Sequence, residues 1–390
     1  MPVVEIGQSS YTVEAFNADT TYHVASNINN LVSGIAINGS GSAANRIFDI
    51  EGHITGTSYA INLGNSVATG NTVLVGTTGM LESSAGTSVL VTGSASKVVN
   101  DGGIVGSVGV AIIGDDNRVI NRSIVAGDNT GVSMNGDDSK LTNSGTITGT
   151  AAVKFTTDEN ENAHLLNTGK VYGDIWAVTG SAGREIIDNR GILGGIVQLE
   201  GGNDVFRCRG NGYVSDEVRG GLGDDRYVVN RNTYHLVEKS GEGNDTIVST
   251  TNYTLGDYFE HLTLAGKGNI SGTGNGTSNH LIGNGGNNVL KGMAGLDELS
   301  GKAGKDILWG GDAADTFIFN PNSDREVVAD FTDGTDRVRF MAGKDVTSSI
   351  DLLANHATEV NGNVVLEANG TTFVIKNIDL DHFTISDFIF

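Results

Sequence analysis

The sequence predicts an all-β chain: a parallel β-solenoid that continues into a parallel β-roll and ends in a C-terminal β-strand cap. Three observations predict it. A short phrase that alternates apolar and polar residues recurs roughly every 21 residues from about residue 97. A glycine-rich tract after residue 270 places Asn or Asp at strict nine-residue intervals. No stretch carries the 3.6-residue periodicity of an amphipathic helix of useful length. An antiparallel β-sandwich, which is also made of short strands, is the competing architecture.

The repeated phrase reads VVNDGGIVG (98–106), VINRSIVAG (119–127), LTNSGTITG (141–149), LLNTGKVYG (165–173) and IIDNRGILG (186–194). Its closing glycines, Gly106, Gly127, Gly149, Gly173 and Gly194, are 21, 22, 24 and 21 residues apart, and an earlier echo ends at Gly56. Alternation broken by glycine is strand patterning. A second short run follows each phrase (GVAII, GVSM, AAVKF, IWAV), so every repeat supplies two or three strands. One such turn cannot bury its apolar face alone, whereas a stack of turns can. The expected organisation is an N-terminal cap or assembly segment at 1–40 and a solenoid at 41–250. A spacer and β-roll follow at 251–320, then a closing segment at 321–390.

Composition narrows the possibilities. At 390 residues the chain exceeds the roughly 250–300 that one compact core supports. Its 57 glycines do not recur every third residue and proline occurs twice, which excludes collagen; 38 % apolar residues argue against disorder. A formal charge of -22 disfavours nucleic acid and anionic membranes, because carboxylates repel phosphate, and favours cations. Cys208 is the single cysteine, so no intramolecular disulfide forms. Its neighbours Arg207 and Arg209 point to the opposite face of a strand, so it is expected to be a buried structural thiol. No basic n-region of a secretory leader precedes Arg46, and no apolar run approaches the ~20 residues of a spanning helix. Any export is expected to use a different signal.

Acidic corners mark many turns: GDDN (114–117), GDDS (136–139), TDEN (157–160), GGND (201–204), GDDR (223–226) and GEGND (241–245). Asp204, Asp225 and Asp245 follow one another at 21 and 20 residues, which stacks them as a carboxylate ladder. Like charges so arranged repel, so water and salt or bound cations must intervene. The early corners read as solvated turns. From Asp204 onward, with Gly223 and Asp224 beside Asp225, metal is the expectation.

The tract after residue 270 is sharper. Asn279, Asn288, Asp297, Asp306 and Asp315 lie nine residues apart, each followed two residues later by Leu281, Leu290, Leu299, Leu308 or Phe317. Two residues before them stand Thr277, Gly286, Gly295, Gly304 and Ala313. This is the G-G-x-G-x-D-x-U-x nonapeptide of a calcium-binding β-roll. Glycine permits the sharp half-turn and aims carbonyls inward, Asp supplies a hard charged oxygen, and the apolar residue packs inside. Two nonapeptides make one turn, so Asp297 and Asp315 share a side while Asp306 stacks on Asn288 opposite. Asp297, Asp306 and Asp315 are the strongest candidate ligands, and Asp312 is an added one. Asn279 and Asn288 offer neutral oxygens and weaker sites. No Walker Gly-Lys-Ser/Thr occurs, which excludes a phosphate loop.

Residues 200–320 resemble the repeats-in-toxin (RTX) family, found in type I-secreted proteins of Gram-negative bacteria. The segment 225–275, with YTLG and EHLTL, resembles the spacer that precedes RTX nonapeptides, and VVADFTDGTDRVRF (327–340) resembles the strand pair that caps such rolls. TISDFIF (384–390) resembles the uncleaved C-terminal type I secretion signal. The resemblance implies several bound Ca2+ ions, a type I exporter as partner, and location outside a Gram-negative cell or on its surface.

RTX tails also follow enzymes, so the first 200 residues were searched for chemistry. No H-E-x-x-H and no G-x-S-x-G elbow between strand and helix occurs, and the eight histidines are scattered without a close pair. Lys97, Arg118 and Lys140 fall at one position per turn, with Arg184 roughly in line. That basic column suits either an acidic glycan or lipopolysaccharide, or a solvated edge balancing the acidic corner. The expected function is therefore structural and not enzymatic: a secreted, calcium-binding, self-assembling protein of surface-layer type. An adhesin and a polysaccharide lyase or epimerase are the alternatives.

Overall fold

Strands pair in parallel with their equivalents one turn along, which is the topology of a β-solenoid and not of a sandwich. The structure is a computed structural model. It describes all residues except 1, 8–11, 16, 33, 40, 65, 160, 322, 341–345, 347, 369 and 390, and leaves out the side chains of 29–32 and 35. Two units are present: Met1–Gly223 with Tyr234–Leu236, and Asp224–Thr233 with Val237–Phe390. Among the described residues, helix is confined to Ser349–Asp351, Leu352–His356 and Ile385–Asp387. No helix among them is long and apolar enough to cross a membrane.

In the first unit one sheet stacks Lys97–Asn100, Arg118–Asn121, Ser139–Asn143, Asn162–Asn167, Arg184–Asn189 and Val205–Cys208. A second sheet begins as paired short strands, His53–Gly56 and Tyr59–Gly64. From Gly103–Ile113 onward the two runs fuse into one long bent strand per turn. The phrase-closing glycines sit at the bend: Gly106 pairs with Gly127 and Gly149 with Gly173. A Cβ on Gly127 would overlap the Thr130 carbonyl, and one on Gly173 the Trp176 carbonyl, so a side chain does not fit inside the bend.

The polar letter of the phrase has a specific role. Asn100, Asn121, Asn143, Asn167 and Asn189 are fully buried and stack in register. Each Nδ2 donates to the Oδ1 of the next Asn, at 2.8, 2.8, 2.9 and 2.9 Å. Each also donates to a backbone carbonyl of the following turn: Ile124, Thr146, Lys170, Ile192 and Tyr213. An amide carries both donors and an acceptor, so it can stack on itself without leaving a buried group unpaired. The row ends at Cys208, whose buried Sγ accepts from Asn189 Nδ2 at 3.4 Å, in line with a structural thiol.

The basic column is also present, with one correction. Lys97, Arg118 and Lys140 are in register, but His164 takes the next place; Arg184 pairs with Asn162, two positions away.

Across the nonapeptides of the second unit each turn takes 18 residues, as the pairings of His280 with Glu298 and of Glu298 with Thr316 show. Leu281, Leu299, Phe317 and Val338 form one inner row, and Leu290, Leu308 and Val328 the other, all fully buried. Burial of each Leu or Phe contributes about 1.5–3 kcal/mol. The rows run into an aromatic cluster, with Phe319 against Phe340 at 4.8 Å and Phe373 at 4.9 Å. Within 327–340 the two strands do not pair with each other. Arg325–Val328 joins Lys305–Asp312 and Arg337–Phe340 joins Thr316–Phe319, each extending a different sheet. The antiparallel element comes later, where Asn363–Ala368 pairs with Thr371–Lys376.

The asparagine row generates a prediction. Asn143→Ala removes a donor from Asn167 Oδ1 and the Lys170 carbonyl and an acceptor from Asn121 Nδ2. Each buried group left unpaired costs ~1–3 kcal/mol, so a loss of about 2–4 kcal/mol in urea unfolding is expected. Asp128→Asn, on the exposed face, should stay within about 0.5 kcal/mol of the parent.

Candidate metal centre

The residue just before the first strand of each turn occupies one register position along the second unit. In order these are Asp225, Asp245, Glu260, Asn279, Asp297, Asp315 and Asp336. A side-chain oxygen accepts the backbone N–H of the equivalent residue one turn earlier. Asp245 Oδ1 accepts from Asp225 at 2.9 Å, Glu260 Oε2 from Asp245 at 2.8 Å, and Asp297 Oδ1 from Asn279 at 2.7 Å. Asp315 Oδ1 accepts from Asp297 and Asp336 Oδ1 from Asp315, both at 2.9 Å. On the opposite row Asp306 Oδ1 accepts from Asn288 at 2.7 Å, and Glu326 follows Asp306 in register.

The first unit fills the corresponding position differently, with Arg46, Asn71, Ser96, Asn117, Ser139, Ala163, Glu185 and Asp204. Neutral groups do the same capping there: Asn71 Oδ1 accepts from Arg46 at 3.2 Å and Asn117 Oδ1 from Ser96 at 2.8 Å. Asp204 Oδ1 accepts from Glu185 at 2.6 Å. Capping therefore occurs at this position in both units, and the negative charge is the added feature of the second.

What distinguishes the aspartates is the second oxygen. Asp297, Asp306 and Asp315 are at most 2 % exposed, and the Oδ2 of each is buried without a hydrogen-bond partner among the described residues. Asp245 Oδ2 and Glu326 Oε2 share that state. Asn279 and Asn288 do not need an ion. Their Oδ1 atoms accept from Asn275 and Asn284 at 2.8 Å, and their Nδ2 atoms donate to the Phe259 and Ile270 carbonyls.

Glycine shapes the space around the aspartates. Gly292, Gly301 and Gly310 each stand five residues ahead of Asp297, Asp306 and Asp315, and a Cβ at any of them would overlap the Asp carboxylate. The Gly301 carbonyl fills the same place beside Gly283, and the Gly310 carbonyl beside Gly292. The result is a cradle of carboxylate and carbonyl oxygens with one carboxylate oxygen unmet. That donor set fits a hard cation such as Ca2+, which prefers six to eight oxygens.

The remaining expected residues fall in three places. Gly223, Gly295 and Gly304 hold backbone φ of +124°, +113° and +120°, and at Gly286 a Cβ would strike the Gly268 carbonyl. Asp224 is exposed, and its Oδ1 accepts from the Asn244 amide at 2.9 Å. Asp312 is exposed on the shallow groove with Met293 and Trp309, outside the ligand rows.

Sequence reasoning missed Glu260, Glu326 and Asp336. All three share the acid-x-apolar signature of the repeat, ending at Leu262, Val328 and Val338. The nine-residue count is broken, because 11 residues separate Asp315 from Glu326 and 10 separate Glu326 from Asp336. It also missed that His261 and His280, distant in sequence, meet edge to face with ring centroids 5.8 Å apart.

Burial sets the electrostatics. It pushes the carboxyls of Asp297 and Asp306 up to about 6, and those of Asp315 and Asp245 up to about 7, against partial relief from the amide bonds they accept. Glu326 is driven up to about 8 by burial, opposed by the Ser323 hydroxyl it accepts from. Metal-free, these groups retain protons that exposed carboxylates would have lost.

The match to a repeat family agrees with this geometry. The family model described as RTX calcium-binding nonapeptide repeat (4 copies) matches residues 273–308 and 294–325. No curated protein sequence matches the chain. Among solved structures, the extracellular lipase LipA from Serratia marcescens is similar at 17 % identity and a TM-score of 0.24. The match covers 59 % of this chain and 40 % of that one, so the chain spans well under two thirds of that protein's length. Residues 273–325 are RTX calcium-binding nonapeptide repeats, borne on a parallel β-solenoid.

Proposed function

We propose that this chain is an exported, calcium-stabilised structural protein of the cell surface or extracellular matrix that assembles with copies of itself. The observation that carries the reading is the row of buried aspartates with an unmet oxygen. Equivalent carboxylates in adjacent turns sit one strand spacing apart, about 4.8 Å. At an effective dielectric near 20, each ionised neighbouring pair costs roughly 3–4 kcal/mol. Several such pairs rival the whole stability of a typical domain, about 5–15 kcal/mol. Calcium held by Asp297 and Asp315 on one row and by Asp306 on the other replaces repulsion by attraction. In a low-calcium cytosol the repeats then stay open for a type I exporter, and outside they close. The segment 384–390 is the proposed export signal, of which Phe390 lies outside the described residues.

Self-association is supported by the end of the first unit. Strand Val3–Glu5 pairs on one side with Thr21–Val24 among the described residues, and Val3 and Val4 are exposed at 60 % and 38 %. A second reading, adhesion to a glycan, draws on an open groove of the first unit lined by Lys154, Trp176, Gln198 and Glu200. There an aromatic face lies among hydrogen-bonding groups.

Adding Ca2+ to the chelator-treated protein should produce β-type circular dichroism and ordered assemblies in negative stain. An unchanged β signal in chelator would sink the folding mechanism. Monomers at every calcium concentration would overturn self-assembly and leave glycan binding as the function to measure.

Gly301→Ala should weaken calcium binding at least tenfold in a titration, because the methyl displaces the Asp306 carboxylate. Gly276→Ala, with open space at its Cβ position, should bind as the parent does.

The raised carboxyls fix a pH dependence in chelator. Their folded values of about 6–7 lie above the ordinary 3.8, so between these limits the folded protein binds more protons than the unfolded chain. Stability conferred by that uptake is complete below about pH 4 and is lost as pH rises through about 6–7. The melting midpoint in chelator should therefore climb as pH is lowered from about 8 to 5, whereas saturating calcium should flatten the profile.

A further inference from the structure

Outside the matched nonapeptides, Asp225, Glu238 and Asp245 each bring a carboxylate oxygen within 4.8 Å of the other two. Asp225 and Asp245 precede the paired strands Arg226–Val229 and Thr246–Ser249, and Glu238 lies on the connection between those strands. They are 2 %, 4 % and 0 % exposed. Two features separate this group from an ordinary acidic corner. Asp245 Oδ1 accepts from the Asp225 amide at 2.9 Å, while its Oδ2 is buried with no hydrogen-bond partner among the described residues. The Tyr227 hydroxyl donates to Glu238 Oε1, which fixes that carboxylate in place, and the Tyr227 ring is itself held edge-on by Phe259 at 5.5 Å.

We propose that Asp225, Glu238 and Asp245 form a separate cation site that takes one Ca2+ ion. The chemistry differs from that of the nonapeptide cradle. There each position contributes one carboxylate and backbone carbonyls; here three carboxylates converge from three segments. Oxygens within 4.8 Å of one another converge on one point, and a small closing movement brings all three to the roughly 2.3–2.6 Å that Ca2+ adopts. Three acids of formal charge -3 need a hard divalent or trivalent cation, and nothing in the set offers the nitrogen or sulfur that softer metals prefer. Glu238 directly follows the strand His235–Val237 on that connection, so the ion would tie it to the two strands as a clip. Such a clip would act on the solenoid ahead of the nonapeptides and does not require them to be filled.

The test uses the full chain. Bound Ca2+ per chain is counted by equilibrium dialysis for the parent, Glu238→Gln, Asp245→Asn and Asp306→Asn. The expected result is one ion fewer in Glu238→Gln and in Asp245→Asn. Counts equal to the parent in both would overturn the site. If the nonapeptide reading alone fails, Asp306→Asn keeps the parent count while Glu238→Gln still loses one ion, so the two failures are distinguishable. Should Glu238→Gln not fold, crystals of the parent grown with Tb3+ decide. An anomalous peak among the three carboxylates supports the site, and an empty map there overturns it.

Discussion

In a parallel solenoid every residue lies on its own equivalent from the next turn, about 4.8 Å away. Whatever occupies a register position must therefore tolerate its own kind as nearest neighbour, and the rest of this structure follows from that constraint. Leucine and phenylalanine meet it by packing, as in the rows through Leu299 and Leu308. Asparagine meets it because an amide is both donor and acceptor, which lets Asn100 to Asn189 run as a continuous buried chain. Aspartate cannot meet it alone.

The two units answer the constraint in different ways at one register position. In both, an oxygen at the strand's entrance caps the amide of the previous turn, as Asn117 does for Ser96 and Asp315 does for Asp297. The first unit uses mostly neutral groups for this, with carboxylates only at Glu185 and Asp204. The second uses carboxylates, and at Asp245, Asp297 and Asp315 a second oxygen is left over inside the protein among the described residues. A position that is mostly neutral in one unit is thereby made mostly charged in the other. That charge calls for a cation or, in acid, a proton.

Glycine makes the charged form possible. The residues five positions ahead of the aspartates have no room for a Cβ, because that volume belongs to the carboxylate and to a carbonyl of the next turn. The same sequence feature that first suggests flexibility marks the tightest packing in the second unit. Its inner rows end in stacked phenylalanines around Phe319, which close the apolar interior where the repeat stops.

Much of this was legible in the sequence, because a solenoid turns spacing along the chain directly into stacking. Periods of 21 and nine residues sufficed to name the fold, the inner rows and the opposing positions of Asp297, Asp315 and Asp306. Tertiary structure decided what counting could not. Irregular connections hid Glu326 and Asp336, whose spacing departs from nine although their register does not. Glu238 approaches Asp225 and Asp245 from a loop, His261 meets His280 across a turn, and Arg184 falls two places off the basic column. The reason is common to all four. Register belongs to hydrogen-bonded strands, and a connection of variable length can shift the count without shifting the stack.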